Sequence, residues 1–147
     1  MKIAIGSDHA GFELKQEVVK FLKRKKVFFK DFGTFAKESC DYPKIAFPVA
    51  RAVSKGKFDR GILLCGSGVG MAVAANRIKG IRAVNVKDLY TARQSREHGD
   101  ANVLCLAGRR LSPKKALRIL EVWLTTPFSE EERHKRRIRQ LDRFTFS

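Results

Sequence analysis

Residues 65 to 70, Cys-Gly-Ser-Gly-Val-Gly, place three glycines on alternate positions directly behind a cysteine, where the apolar run Gly61 to Leu64 gives way to a helical pattern. Glycine at that density is conformationally expensive, so the stretch reads as a place where something must come close to the backbone. Successive N–H groups at a helix start form a nest for an anion. A thiolate beside such a nest should be stabilised, as thiols near helix N-termini are. The plainer reading of Cys65 is an inert core cysteine at a strand end. A second polar group, Gly6-Ser7-Asp8-His9, closes another apolar run near the N-terminus. If the two runs lie side by side, titratable groups and backbone donors converge on one crevice. A dinucleotide fingerprint starting at Gly66 is a poor fit: it would need glycine at 71, where Met71 stands, and it normally follows the first strand rather than the third.

The elements that would hold these groups can be read from hydrophobic spacing. Lys2 to Gly6 is a first strand, and Phe12 to Lys25 carries apolar residues at 14, 18, 21 and 22, a helical period. Val27 to Asp31 reads as strand. Tyr42 to Ser54 reads as helix, with Pro43 tolerable in the first turn and Pro48 an interior residue that should kink it. Then follow strand Gly61 to Leu64, helix Gly68 to Arg77, strand Arg82 to Val86, helix Leu89 to Glu97, strand Val103 to Leu106, and helix Pro113 to Leu124 capped by Ser112. Beyond Thr125 the chain is charged and reads as a C-terminal helix. This alternation predicts an α/β fold with a doubly wound, five-stranded parallel sheet and helices on both faces. The common strand order 2-1-3-4-5 puts the switch point between strands one and three, where ligands bind in such sheets. The two polar strand ends would meet there.

At 147 residues the chain fits one domain, expected to span 1–147, with 126–147 as a basic C-terminal extension. The N-terminus has neither signal-peptide nor transit-peptide character, and no segment approaches the roughly 20 apolar residues of a membrane span. Cys40, Cys65 and Cys105 are widely spaced with no C-x-x-C, which suggests neither a disulfide framework nor a zinc site and points to a reducing cytoplasm. The formal net charge of +16 raises nucleic acid as a partner. Lys20, Lys23, Arg24, Lys25, Lys26 and Lys30 end a helix, where cations suit the dipole and form a solvated face. Arg133 and Arg137, in the second cluster, are spaced i and i+4 and share one helix face.

The opening "IGSDHAGFELK", "DYP" at 41 to 43, "GILLCGSGVGMAVAANR" from 61, "GIRA" from 80, "EHGDANVL" from 97 and "TTPFSEEERHKRRI" from 125 together resemble the type-B ribose-5-phosphate isomerases and the related galactose-6-phosphate isomerase subunits over nearly the whole chain. The resemblance implies a metal-free, cofactor-free homodimer or tetramer. Its implied activity is aldose–ketose interconversion of a sugar phosphate through an enediolate, with ribose 5-phosphate and ribulose 5-phosphate of the pentose phosphate pathway as the expected pair. By resemblance Cys65 is the base, and the backbone of Gly66, Ser67, Gly68, Val69 and Gly70 is the oxyanion hole, with the Ser67 hydroxyl as a further donor. Relatives without the cysteine use a glutamate six residues on, where this chain has Met71. His98 matches the histidine that assists ring opening, and Asp8 the residue that orients a sugar hydroxyl. His9, Arg133 and Arg137 match phosphate-holding positions, with Arg109 and His134 as further contacts, and Tyr42 matches a tyrosine near the sugar. The family site is shared between two subunits, His98 reaching to the cysteine side of the partner.

One departure stands out: Gly99 occupies a position where the family commonly has asparagine. It leaves an isomerase of a six-carbon sugar phosphate, such as allose or galactose 6-phosphate, as the alternative. A non-catalytic, basic nucleic-acid-binding protein on the same scaffold is a second alternative, against which the intact Cys65, His9 and His98 set argues.

Overall fold

Five parallel strands form the sheet in the order β2-β1-β3-β5-β4 in a computed structural model that describes residues 1–144. They are β1 (Lys2–Ser7), β2 (Phe28–Asp31), β3 (Arg60–Cys65), β4 (Ala83–Asn85) and β5 (Val103–Ala107). The helices are α1 (Phe12–Arg24), α2 (Tyr42–Ser54), α3 (Val69–Ala75), α4 (Leu89–Glu97), α5 (Pro113–Thr125) and α6 (Glu132–Arg143). The boundaries read from the sequence hold to within one residue at every bounded strand and helix except the C-terminal end of α3, which stops two residues early at Ala75. Helix α2 continues past Pro48 to Ser54, and Pro43 and Pro113 each sit in a first turn, where a missing N–H leaves no bond unmade. The expected C-terminal extension includes α6; its last residues, 145–147, lie outside the described part of the chain.

The far side of the sheet corrects the expected order 2-1-3-4-5, because β5, not β4, lies against β3. The reason is burial. All five residues of β5 are buried, whereas the three of β4 are half-buried, as suits a short edge strand. Connection geometry follows from this order. Right-handed crossovers running toward one edge carry their helices on one face, and those running back carry them on the other. Helices α2 and α3 therefore pack on the face that buries Val49, Leu63, Met71 and Cys105. Helices α1, α4 and α5 pack on the opposite face around Ile5, Val18, Ile62, Leu104 and Trp123. The β1/β3 switch point survives the correction, since only the order beyond β3 changes.

Candidate active site

At the switch point the ends of β1, β3 and β5 are tied to one another by the backbone. The Asp8 N–H donates to the Leu64 carbonyl at 3.1 Å, Gly108 N–H to the Cys65 carbonyl at 2.7 Å, and Arg109 N–H to the Gly66 carbonyl at 3.1 Å. The buried Asp8 carboxylate accepts from Gly11 N–H at 3.0 Å and so caps the single 3₁₀ turn His9–Gly11. His9 is oriented by the loop after β2: the Cys40 N–H donates to its Nδ1 at 3.2 Å. With Nδ1 accepting, the ring proton of neutral His9 is on Nε2.

That loop is itself held down by Lys15, a residue that hydrophobic spacing passes over. Its ammonium is fully buried, pairs with Asp31 at 2.8 Å, donates to the Thr34 carbonyl, and lies 5.0 Å from the Phe35 ring. Ser7 and the loop exchange two further backbone bonds, Ser7 N–H to Gly33 and Thr34 N–H to Ser7, each 2.7 Å. Charge pairing and hydrogen bonding together make the burial of Lys15 tolerable.

Two glycines of the Cys65–Gly70 stretch, Gly68 and Gly70, make room for a side chain from another element, whereas a side chain at Gly66 would meet only ordinary contact. A Cβ on Gly66 would touch Arg109 at 3.4 Å, one on Gly68 would strike the Asn85 amide oxygen at 2.5 Å, and one on Gly70 would strike the Tyr42 ring at 2.8 Å. Gly68 also has φ +78°, a left-handed conformation that a side chain resists. Close approach, the requirement inferred from the glycine spacing, is thus met first by the protein's own side chains. The Gly68 N–H points at Cys65 Sγ, 3.2 Å away, and Val69 N–H donates to the Ser67 hydroxyl at 3.2 Å. Among the described residues the N–H groups of Ser67 and Gly70 have no partner in the chain and remain available to an incoming anion. Beneath Cys65, burial pushes the Cys105 thiol far up, Cys65 pushes it the same way, and Cys105 stays protonated.

The result is one crevice of about 410 Å³ lined by Asp8, His9, Tyr42, Cys65, Gly66, Ser67, Gly70 and Arg109. Gly68 and Val69 continue the same loop, the first buried and the second with its side chain turned outward. The remaining predicted residues are elsewhere. His98, His134 and Arg137 line a separate hollow of about 740 Å³ between α4, β4 and α6. Arg133 accompanies them, its Nε donating to His134 Nε2 at 3.3 Å. The rings of His98 and His134 stack at 4.3 Å with 13° between their planes, and the Gln94 amide lies 3.4 Å from His98 Nδ1. Arg96, buried at the end of α4, donates to the Ala101 and Thr126 carbonyls and pairs with Asp100, which fixes the segment bearing His98. Arg82 pairs with Asp142 at 3.0 Å and so ties α6 to the start of β4.

His134 is held below the ordinary histidine value of 6.5, first by burial and then by the neighbouring His98 and Arg133, with Glu131 opposing. The folded protein therefore binds fewer protons at this ring than the unfolded chain does. Its contribution to stability is complete above 6.5 and is lost as pH falls below that value. Thermal unfolding on both sides of 6.5 should show a smaller acid loss for His134→Gln than for the wild type. Equal acid losses would rule out this origin.

The fold and crevice define a doubly wound α/β protein that gathers a cysteine, free backbone donors and cationic or donor side chains at its switch point, a combination suited to an anionic substrate. The chain belongs to the ribose/galactose isomerase family, whose pattern matches residues 3–141. It is 46% identical to the ribose-5-P isomerase B of Listeria innocua over 88% of this chain and 87% of that one. The ribose-5-phosphate isomerase B structure from Clostridium thermocellum superposes with a TM-score of 0.94 at 46% identity, covering 97% of this chain and 95% of the other. The Mycoplasma genitalium enzyme, solved with bound ribulose-5-phosphate, superposes with a TM-score of 0.93 at 40% identity, covering 97% and 94%.

Proposed function

We propose that this protein interconverts ribose 5-phosphate and ribulose 5-phosphate, with Cys65 as the base that moves the proton between C2 and C1. The observation that carries the reading is the crevice itself: the Cys65 sulfur, its Gly68 N–H donor and the free N–H groups of Ser67 and Gly70 face one space with Asp8, His9 and Arg109. A sugar bound there in open-chain form presents C2–H to the thiolate. Removal of that proton leaves an enediolate, whose negative oxygen accepts from the backbone donors. As the O2 hydroxyl proton passes to O1, the same sulfur returns its proton to C1, giving the ketose. Asp8 orients a sugar hydroxyl, Tyr42 flanks the sugar, and His9 donates its Nε2 proton to the phosphate.

His98, His134, Arg133 and Arg137 enter this scheme through a second copy of the chain. They lie apart from Cys65 within one chain. In a homodimer, or a tetramer built from it, His98 assists ring opening in the partner's crevice, while Arg133 and Arg137 grip the phosphate. The exposed Val69 and Val73, one turn apart on α3 beside the crevice, and the exposed Leu141 on α6 supply apolar surface for such a contact. The extension 126–147 thereby contributes to phosphate binding and to the interface. Three free thiols suit the reducing cytoplasm, where the pentose phosphate pathway operates.

The purified protein, with chelator present, should convert ribose 5-phosphate faster than allose 6-phosphate or galactose 6-phosphate and exchange the transferred hydrogen with solvent deuterium. Preference for a six-carbon substrate would reassign the sugar, and no turnover of any would overturn the reading. Within the same assay, Arg133→Ala or Arg137→Ala should act mainly by raising KM, because a guanidinium grips phosphate bidentately. Some loss of kcat is also expected, since remote binding energy helps position the reacting atoms. The effect should vanish on the unphosphorylated sugar. Equal losses on both sugars would exclude the phosphate role.

A further inference from the structure

The peptide unit between Ser67 and Gly68 is gripped from both sides. Its carbonyl accepts from the Asn85 amide nitrogen at 3.1 Å, and its N–H donates to Cys65 Sγ at 3.2 Å. In a trans peptide the C=O and N–H point in opposite directions within one plane, so fixing one aims the other. Asn85, at the C-terminal end of the edge strand β4, is the only side chain seen to bond that carbonyl among the described residues. We infer that Asn85 is a positioning residue, which holds the Ser67–Gly68 peptide so that its N–H faces the Cys65 sulfur and stabilises the charged form.

Two further observations fit this role. The Asn85 amide oxygen is buried with no partner among the described residues, which is tolerated in return for the bond its nitrogen makes. That oxygen also occupies the space that any side chain at position 68 would need, 2.5 Å from an ideal Cβ. Gly68 and Asn85 therefore form a matched pair. The glycine accepts both the left-handed turn and the close amide. The inference rests on Cys65 being the base for its effect on turnover, but not for its effect on the sulfur.

The test separates those two. In protein labelled with 13C at cysteine Cβ, the Cys65 resonance follows thiol ionisation directly. Asn85→Leu should move the midpoint of that titration upward by roughly one pH unit, as expected for loss of a hydrogen bond to a charged group. Asn85→Ala, smaller and free of steric demand on Gly68, should do the same and covers the case in which the leucine variant fails to fold. At neutral pH kcat should fall about tenfold and recover toward wild type as pH rises, with KM little changed. A Cys65 midpoint equal to wild type in a folded variant overturns the inference. A raised midpoint with undiminished turnover upholds the positioning of the sulfur and overturns Cys65 as the base.

Discussion

Cys65→Ala should lose nearly all turnover and keep most of its substrate affinity. A general base acts on a proton in flight, so its removal raises the barrier without removing the contacts that bind the ground state. The expected loss in kcat is roughly 10²- to 10⁴-fold, with KM changed far less. The geometry favours a clean result. Cys65 ends a strand whose neighbours are buried on both faces, and an alanine there leaves the ladder with β5 and the loop bonds to Gly108 and Arg109 intact. Thiol-directed alkylation should have the same effect, with substrate giving protection. Met71, the residue standing where a substitute carboxylate would be, is fully buried and holds no proton-accepting group. Activity within about tenfold of wild type would remove Cys65 from the mechanism.

The fold was legible where hydrophobic spacing is strong and less so where topology rather than periodicity decides. Helices α2 and α5 start on the residues that spacing and capping indicate, because Pro43 and Ser112 mark their starts chemically. Ser112 accepts from Lys115 N–H at 3.2 Å, the kind of bond a cap residue is chosen for. The placement of β5 inside β4 could not be read the same way, since a parallel strand records burial in its composition but not the identity of its neighbours. In hindsight the weakly apolar α4 and the all-apolar β5 carry the clue.

For the site, residues with unusual chemistry at element ends could be found from the sequence, and residues that act by holding them could not. Asp8 and Cys65 stand at strand ends, where side chains point out of the sheet into the crevice. Lys15 is one lysine among many in a basic chain, and nothing in its spacing tells that its ammonium is buried against Asp31. Asn85 looks like an ordinary polar residue of a short strand; its bond to the Ser67 carbonyl exists only because β4 folds up beside the β3 loop. Cys40 contributes through a backbone N–H, which any residue but proline would supply. The glycine spacing calls for clearance over the backbone, and side chains from α2 and β4 also need that clearance, at Gly70 and Gly68.

Mixing two inactive variants should restore activity. In the shared-site arrangement proposed above, Cys65 of one protomer works with His98 of the other, and two-fold symmetry makes two such sites per dimer. Cys65→Ala and His98→Ala homodimers then each lack one group at every site. When equal amounts are unfolded and refolded together, random pairing makes roughly half of the dimers mixed. Each mixed dimer carries one site missing both groups and one site with both intact, so recovered activity should approach roughly a quarter of wild type. The geometry of the single chain gives this its force, because His98 opens into the hollow walled by α4 and α6 while Cys65 opens at the β1/β3 switch point. If His98 served the crevice of its own chain, every site in the mixture would lack one of the two groups. No recovery, with mixed dimers demonstrated by mass spectrometry, would refute the shared site and confine the catalytic residues to one protomer.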